Sequence, residues 1–262
     1  NITYAYDQAA MGSGQLEEFA YSQEEIELAK KWGGLANNLH TDLHECLGHG
    51  SGQLAPGIKG DELKNYGSTL EEARADLFAL YFMLDNKMVE LGLMPSLDAA
   101  KAEYLTYIRN GMMVQLTRIE LGTNIEESHM RNRKLIAEWC YEKGKAENVI
   151  EKKTRDNKTY FVINDFEKLH KLFGELLKEV QRIKSEGDYT AAKELVENYG
   201  VKVDRKLHEE VLTRYKKLNV PPYAGFINPE YELVEENGEI VDVTISYPKD
   251  FLAQMLAYGK NS

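Results

Sequence analysis

Apolar residues recur at intervals of three and four along most of this chain, the spacing that gives a helix one buried face. Ile26, Ala29 and Leu35 begin such a stripe, and Leu39, Leu43 and Leu47 continue it. Ser22 followed by Glu25 has the capping-box spacing and predicts the helix start, while Gly33-Gly34 predicts a break or kink. Gly50-Ser51-Gly52 predicts the end, and residues 53–67, with Pro56, a loop. Ser68 with Glu71 is again a capping-box pair, opening a helix that runs into the strongly apolar Leu77–Phe82. Pro95-Ser96 starts another, through Ala100, Tyr104, Ile108 and Met112 towards Leu121, and after the Gly122-Thr123-Asn124 turn residues 126–143 form the next, stopped by Gly144. Asp165 through Lys184 predicts a long amphipathic helix, followed by helices at 189–199 and 204–219, where Pro221-Pro222 forbids continuation. A short helix over 248–258 closes the chain.

Period-two alternation appears twice. Residues 149–154 and 159–163 flank Asp156-Asn157, and residues 231–235 and 239–246 flank Asn237-Gly238, the stronger hairpin signal. Residues 1–21 show no clear period and read as irregular. The fold class that emerges is mainly α, with two small peripheral β-hairpins, and residues 1–262 are expected to form a single domain.

Composition changes this picture little. The 262 residues suffice for a sizeable core, and 43% hydrophobic with 29% charged residues is ordinary for a globular protein. A net charge of −11 disfavours nucleic acid and anionic membrane as partners. No apolar run approaches the length of a transmembrane helix. Cys46 and Cys140 make no disulfide framework and are expected to be reduced.

The chemistry lies in two stretches. The first is His44-Glu45-Cys46-Leu47-Gly48-His49. Imidazole nitrogens suit zinc, and a carboxylate beside them can take a proton from an activated water. In the common H-E-x-x-H arrangement the histidines share a helical face. Here they are one residue further apart, roughly 140° around an ideal helix and too far for one ion. The helix is therefore expected to hold an extra residue locally, as in a π-bulge, with Gly48 easing the distortion. The second stretch is Glu71-Glu72-Ala73-Arg74-Ala75-Asp76. Glu72 and Asp76 share a helical face, and carboxylates on an otherwise apolar helix are costly to bury unless something positive holds them. A zinc ion would do so. The capping box gives Glu71 a local role and favours Glu72 as the ligand, with Glu71 the alternative.

Taken together and in this order, the two motifs resemble those of the dipeptidyl-peptidase III family of zinc metallopeptidases; this chain departs from the family's second motif at Ala73 and Asp76. The resemblance implies one Zn2+ per chain held by His44, His49 and Glu72, with Glu45 as general base. It places Glu71 and Asp76 beside the ligands, Asp76 standing where the family has a glutamate that orients a ligating imidazole. The stretch Glu127-Ser128-His129-Met130-x-x-Arg133 looks like the segment carrying the family's transition-state histidine, which maps to His129. The similarity continues weakly through Ser185–Asp188 and Phe226–Pro229, but Tyr223-Ala224-Gly225 stand where the family has basic residues for the substrate's C-terminal end.

Family members are two-lobed and longer, and they release dipeptides from the N-terminus of short peptides. The chain therefore resembles the helical zinc-bearing lobe, with a short peptide substrate and the missing second lobe as its implied partners. Beginning at Asn1 rather than Met, it is expected to be a piece of a longer protein. Its expected compartment is the cytoplasm, a missing targeting segment remaining open. The rival function is a zinc-stabilised helical binding module without catalysis. Blander roles are expected elsewhere: His40 as a solvated or core residue, Cys46 as a small buried one, and His170 and His208 as solvated. The run Glu232–Glu239 reads as the wet face of a hairpin.

Overall fold

Helical periodicity is realised over most of the chain in the computed structural model, which describes residues 12–220 and 227–260. Residues 17–215 form one compact unit, and the described residues of 1–16 and 216–262 form a second. The stretch predicted to be irregular holds a short helix, α1 (Gln15–Phe19), with Phe19 buried. Helix α2 (Gln23–Leu43) is capped as its sequence predicts, Ser22 Oγ accepting from Glu25 N at 3.2 Å. Gly33-Gly34 does not break it: the helix runs on through both, which lie in open space, where a glycine costs helix stability.

The unit is built around helix α3 (Gly67–Met83), in which Leu70, Ala73, Leu77, Ala79, Leu80 and Met83 are all buried. α3 starts one residue before Ser68 and carries no side-chain cap, so the predicted capping box is absent. Ser68 Oγ instead meets Ser128 Oγ at 3.0 Å. Against α3 pack α2, α5 (Asp98–Met112), α6 (Ser128–Lys143) and α7 (Phe166–Glu186). The α7 stripe Leu169, Phe173, Leu176, Val180, Ile183 is fully buried, each side chain contributing about 1.5–3 kcal/mol of apolar transfer. A short α4 (Asn86–Glu90) follows Asp85, whose side chain caps it. The helix predicted to run from Pro95 towards Leu121 stops at Met112 and gives way to a 3-10 turn, Val114–Arg118. The predicted 189–199 helix is α8 (Tyr189–Val196) followed by a π segment, Glu197–Val201, and α9 (Arg205–Lys217) follows.

Both hairpins form where their turns predict. β1 (Ile150–Arg155) pairs antiparallel with β2 (Lys158–Ile163) through Asp156-Asn157, both residues at positive φ. This hairpin lays Tyr160, Phe161 and Ile163 into the core. In the second unit β3 (Glu230–Glu236) pairs with β4 (Glu239–Ser246) through Asn237-Gly238, and every residue of both strands is exposed. The Glu232–Glu239 run is thus solvated. Helix α10 (Phe251–Gly259) follows, capped by Asp250. Pro221-Pro222 and Tyr223-Ala224-Gly225 lie outside the described residues. Among the described residues no helix is long and apolar enough to cross a membrane.

Candidate metal centre

The C-terminal end of α2 does not continue as an α-helix. His44–His49 form a π segment, so the extra residue per turn expected from the histidine spacing is present. The two imidazoles meet edge to face, with ring centroids 4.7 Å apart. Gly48 has a different job from the one its sequence position suggests. Its φ is not in the left-handed region, but a Cβ there would lie 2.6 Å from Ala75 Cα and 2.7 Å from Ala75 Cβ. Glycine is required because the π segment presses directly onto the backbone of α3. That close approach carries the histidines to Glu72.

Glu72 Oε2 stands 3.3 Å from His44 Nε2, 3.8 Å from His49 Nε2 and 3.4 Å from His129 Nε2. It is buried and accepts no hydrogen bond among the described residues. One ligating atom each from His44, His49 and Glu72 lie within 4.8 Å of one another. A buried carboxylate oxygen without a donor, ringed by imidazole nitrogens, is costly in a protein interior and is what a cation would satisfy. The donor set, two nitrogens and a carboxylate with room for water, suits a catalytic zinc. His40, His44 and Asp76 bring a second such group within the same limit.

Each histidine is held from behind by a carboxylate. His44 Nδ1 lies 2.7 Å from Asp76 Oδ1, His49 Nδ1 2.7 Å from Glu71 Oε1, and His129 Nδ1 2.7 Å from Glu127 Oε1. Donation from Nδ1 leaves Nε2 facing Glu72 in all three. Asp76, although shorter than glutamate, reaches His44 because the π segment sits so close to α3. The two neighbouring glutamates of α3 separate cleanly: Glu72 faces the imidazoles, while Glu71 also pairs with Arg74 at 2.8 Å and with Lys184. Burial alone would raise the Glu71 carboxyl, but hydrogen bonds from Arg74, Lys184 and His49 outweigh it and bring it down to about 2. Burial likewise opposes ionisation of Asp76, yet donors from His40, His44 and Tyr107 hold its carboxyl far below the usual range.

Glu45 is exposed and lines a polar cavity of about 320 Å³ together with His40, His44, Asp76, His129 and Arg133. His129 sits in the first turn of α6 behind the N-cap Glu127, which also accepts from the backbone N–H of His129 and Met130. Glu127 is a site residue the helical pattern passes over; its signal is an acidic side chain just before the helix start, where an N-cap belongs. His40, Glu103 and Tyr107 were also missed. Of the two readings of His40, solvated or core, the second holds: it is mostly buried between Asp76 and Glu103. Burial would lower its pKa, but the Glu103 charge and the Asp76 contact raise it to about 10. Three expectations fail here. Cys46 is exposed. His208 is buried, 3.0 Å from Leu116 O, and His170 stacks on Tyr81 with its Nε2 3.0 Å from Tyr81 O. Both rings find backbone carbonyls that a sequence cannot reveal.

The model of peptidase family M49 matches residues 58–219, more than half of the chain. The chain belongs to peptidase family M49. The matched span contains Glu72, Asp76 and His129 and begins after His49. Dipeptidyl peptidase 3 of Mus musculus is 23% identical over 299 residues, covering 96% of this chain and 40% of the mouse protein. That of Rattus norvegicus is 24% identical, covering 87% and 37%. The M49 chain thus spans about 40% of the length of these curated relatives. Among solved structures, DPP III from Caldithrix abyssi is 25% identical with a TM-score of 0.64, covering 84% of this chain and 38% of that one. Dipeptidyl-peptidase III from Corallococcus sp. strain EGB shares the fold, with 21% identity and a TM-score of 0.57.

Proposed function

We propose that this M49 chain is the zinc-bearing part of a dipeptidyl-peptidase, hydrolysing N-terminal dipeptides from short peptides in concert with a second lobe. The observation that carries the reading is Glu72 Oε2, buried without a donor and faced by the Nε2 atoms of His44, His49 and His129. His44, His49 and Glu72 would hold the zinc. Bound there, zinc lowers the pKa of a water to about 7 and polarises the scissile carbonyl.

The chain's own groups do the rest. Glu45 follows His44 directly and shares its cavity with His129. As general base it would take the proton of the attacking water and return it to the leaving amine. His129, its ring held through Nδ1 by Glu127, would present Nε2 to the oxyanion and donate to it when the ring carries both protons, a contact worth roughly 3–4 kcal/mol where such donors have been removed. Asp76 and Glu71 keep both ligating rings turned towards Glu72. Dipeptide specificity is carried over from the relatives, which are dipeptidyl peptidases.

The test is Glu45→Gln in the protein carrying both lobes, assayed on a dipeptidyl reporter peptide. Zinc content should be unchanged and kcat should fall by about 10²–10⁴, the usual worth of a positioned base. A variant as active as wild type removes Glu45 from this role. A two-lobed wild type that binds zinc and cleaves no peptide favours the non-catalytic zinc module.

A further inference from the structure

Behind His44 the chain of partners does not end at Asp76. Asp76 Oδ1 receives both His44 Nδ1, at 2.7 Å, and His40 Nε2, at 3.1 Å, while Oδ2 accepts from Tyr107 Oη at 2.7 Å. His40 lies one turn before His44 on α2, and on its far side Glu103 Oε1 of α5 stands 3.0 Å from His40 Nδ1. That contact is an ion pair rather than an aligned hydrogen bond, since Nδ1 has no hydrogen-bond partner by angle. The ring is clamped between Tyr107, stacked at 5.9 Å and 19°, and His44, stacked at 6.3 Å and 28°. Three helices thus converge on one buried imidazole, with an acidic oxygen at each of its nitrogens.

We infer that His40, backed by Glu103, is a positioning residue for the zinc site, fixing Asp76 so that Asp76 can fix the His44 ring. The physical need is plain. A carboxylate as buried as Asp76 is costly unless its oxygens are fully occupied, and His44 alone fills only one position on Oδ1. Removing the His40 donor leaves Asp76 held by Tyr107 and by His44 itself, so the lock on the His44 ring loosens. Partners outside the ligand set are worth about 10–100-fold in metal affinity when removed. His40 stands one step further out, so the effect belongs at the low end. Glu103 acts only through His40. Its loss should therefore matter in the presence of His40 and be silent in its absence, a coupling that a residue serving only the core does not show.

This inference rests on the zinc reading of His44, His49 and Glu72. The experiment is competition of the full 262-residue chain with a colorimetric chelator for zinc, alongside the melting temperature of each zinc-free variant. His40→Ala should raise the zinc dissociation constant about tenfold. His40→Gln, whose amide can donate to Asp76, should recover most of that loss. Glu103→Gln should weaken binding by a factor of a few, and His40→Ala/Glu103→Gln should bind no more weakly than His40→Ala. If His40→Ala does not fold, Glu103→Gln and His40→Gln decide between the alternatives: a Glu103→Gln variant with the wild-type constant overturns the inference. So do additive losses in the double variant, or a second zinc bound by wild type and lost with His40, which would make His40 a ligand. A wild-type chain that binds no zinc rejects the proposed function itself, a different failure from a wild type that binds zinc with a His40→Ala constant to match.

Discussion

Replacing Gly48 by alanine adds one methyl group at the point where the π segment touches α3. The new Cβ would lie 2.6 Å from Ala75 Cα, 2.7 Å from Ala75 Cβ and 3.1 Å from Ala75 O. Carbon atoms rest about 3.5–4.0 Å apart, so the two backbones must separate by about 1 Å. The nearest obstacle is main chain inside a buried helix and cannot swing aside as a side-chain tip would. Overpacking of this kind costs about 1–3 kcal/mol of stability. Its effect on the metal site should be larger than its effect on folding. His44 and His49 lie on one side of the contact and Glu72 on the other, and metal–ligand distances tolerate only about 0.2 Å. Gly48→Ala should therefore remain folded, melt below wild type and lose most of its zinc affinity. Ala75→Gly should rescue it poorly, because the Cα clash persists when the Cβ is gone. Denaturant titration of the zinc-free chain and chelator competition of the loaded chain measure the two effects separately. A Gly48→Ala variant with wild-type zinc affinity would refute the claim that this contact sets the ligand geometry.

The same structure carries other expected outcomes. Gly34→Ala, in the middle of α2 with open space around it, should stabilise the chain by about 0.5–1 kcal/mol in denaturant titration; a loss would mean the helix is strained there. Glu18 is held below its ordinary 4.5: burial would raise it, but hydrogen bonds from Lys158 and Arg214 outweigh that. Its contribution is therefore present above that value and lost as pH falls. Lys158→Met should move the acid-unfolding midpoint of the zinc-free chain to higher pH, with a loss at neutral pH of about 1 kcal/mol or less, and an unmoved midpoint would show the pair to be inert.

Much of this was legible in the residues alone. Histidines five apart demanded a local change of helical period, and the π segment supplies it. Asn237-Gly238 and Asp156-Asn157 specified their turns because few residue pairs adopt positive φ together. What escaped was tertiary. The capping-box spacing at Ser68 was outcompeted, as Glu71 found Arg74, Lys184 and His49 more rewarding than its own helix end. Gly33-Gly34 looks like a break locally, yet α2 packs along α3 and α5 and runs on through it. His40 lies on α2, Asp76 on α3, and Glu103 and Tyr107 on α5, and no periodicity announces that these three helices meet there.

The central claim is that His44, His49 and Glu72 form one zinc site, and elemental analysis of the purified chain after gentle desalting tests it most directly. Wild type should retain about one zinc per chain, and the His44→Ala/His49→Ala variant should retain almost none. A wild type without zinc, or a double variant that keeps its full complement, would contradict the account.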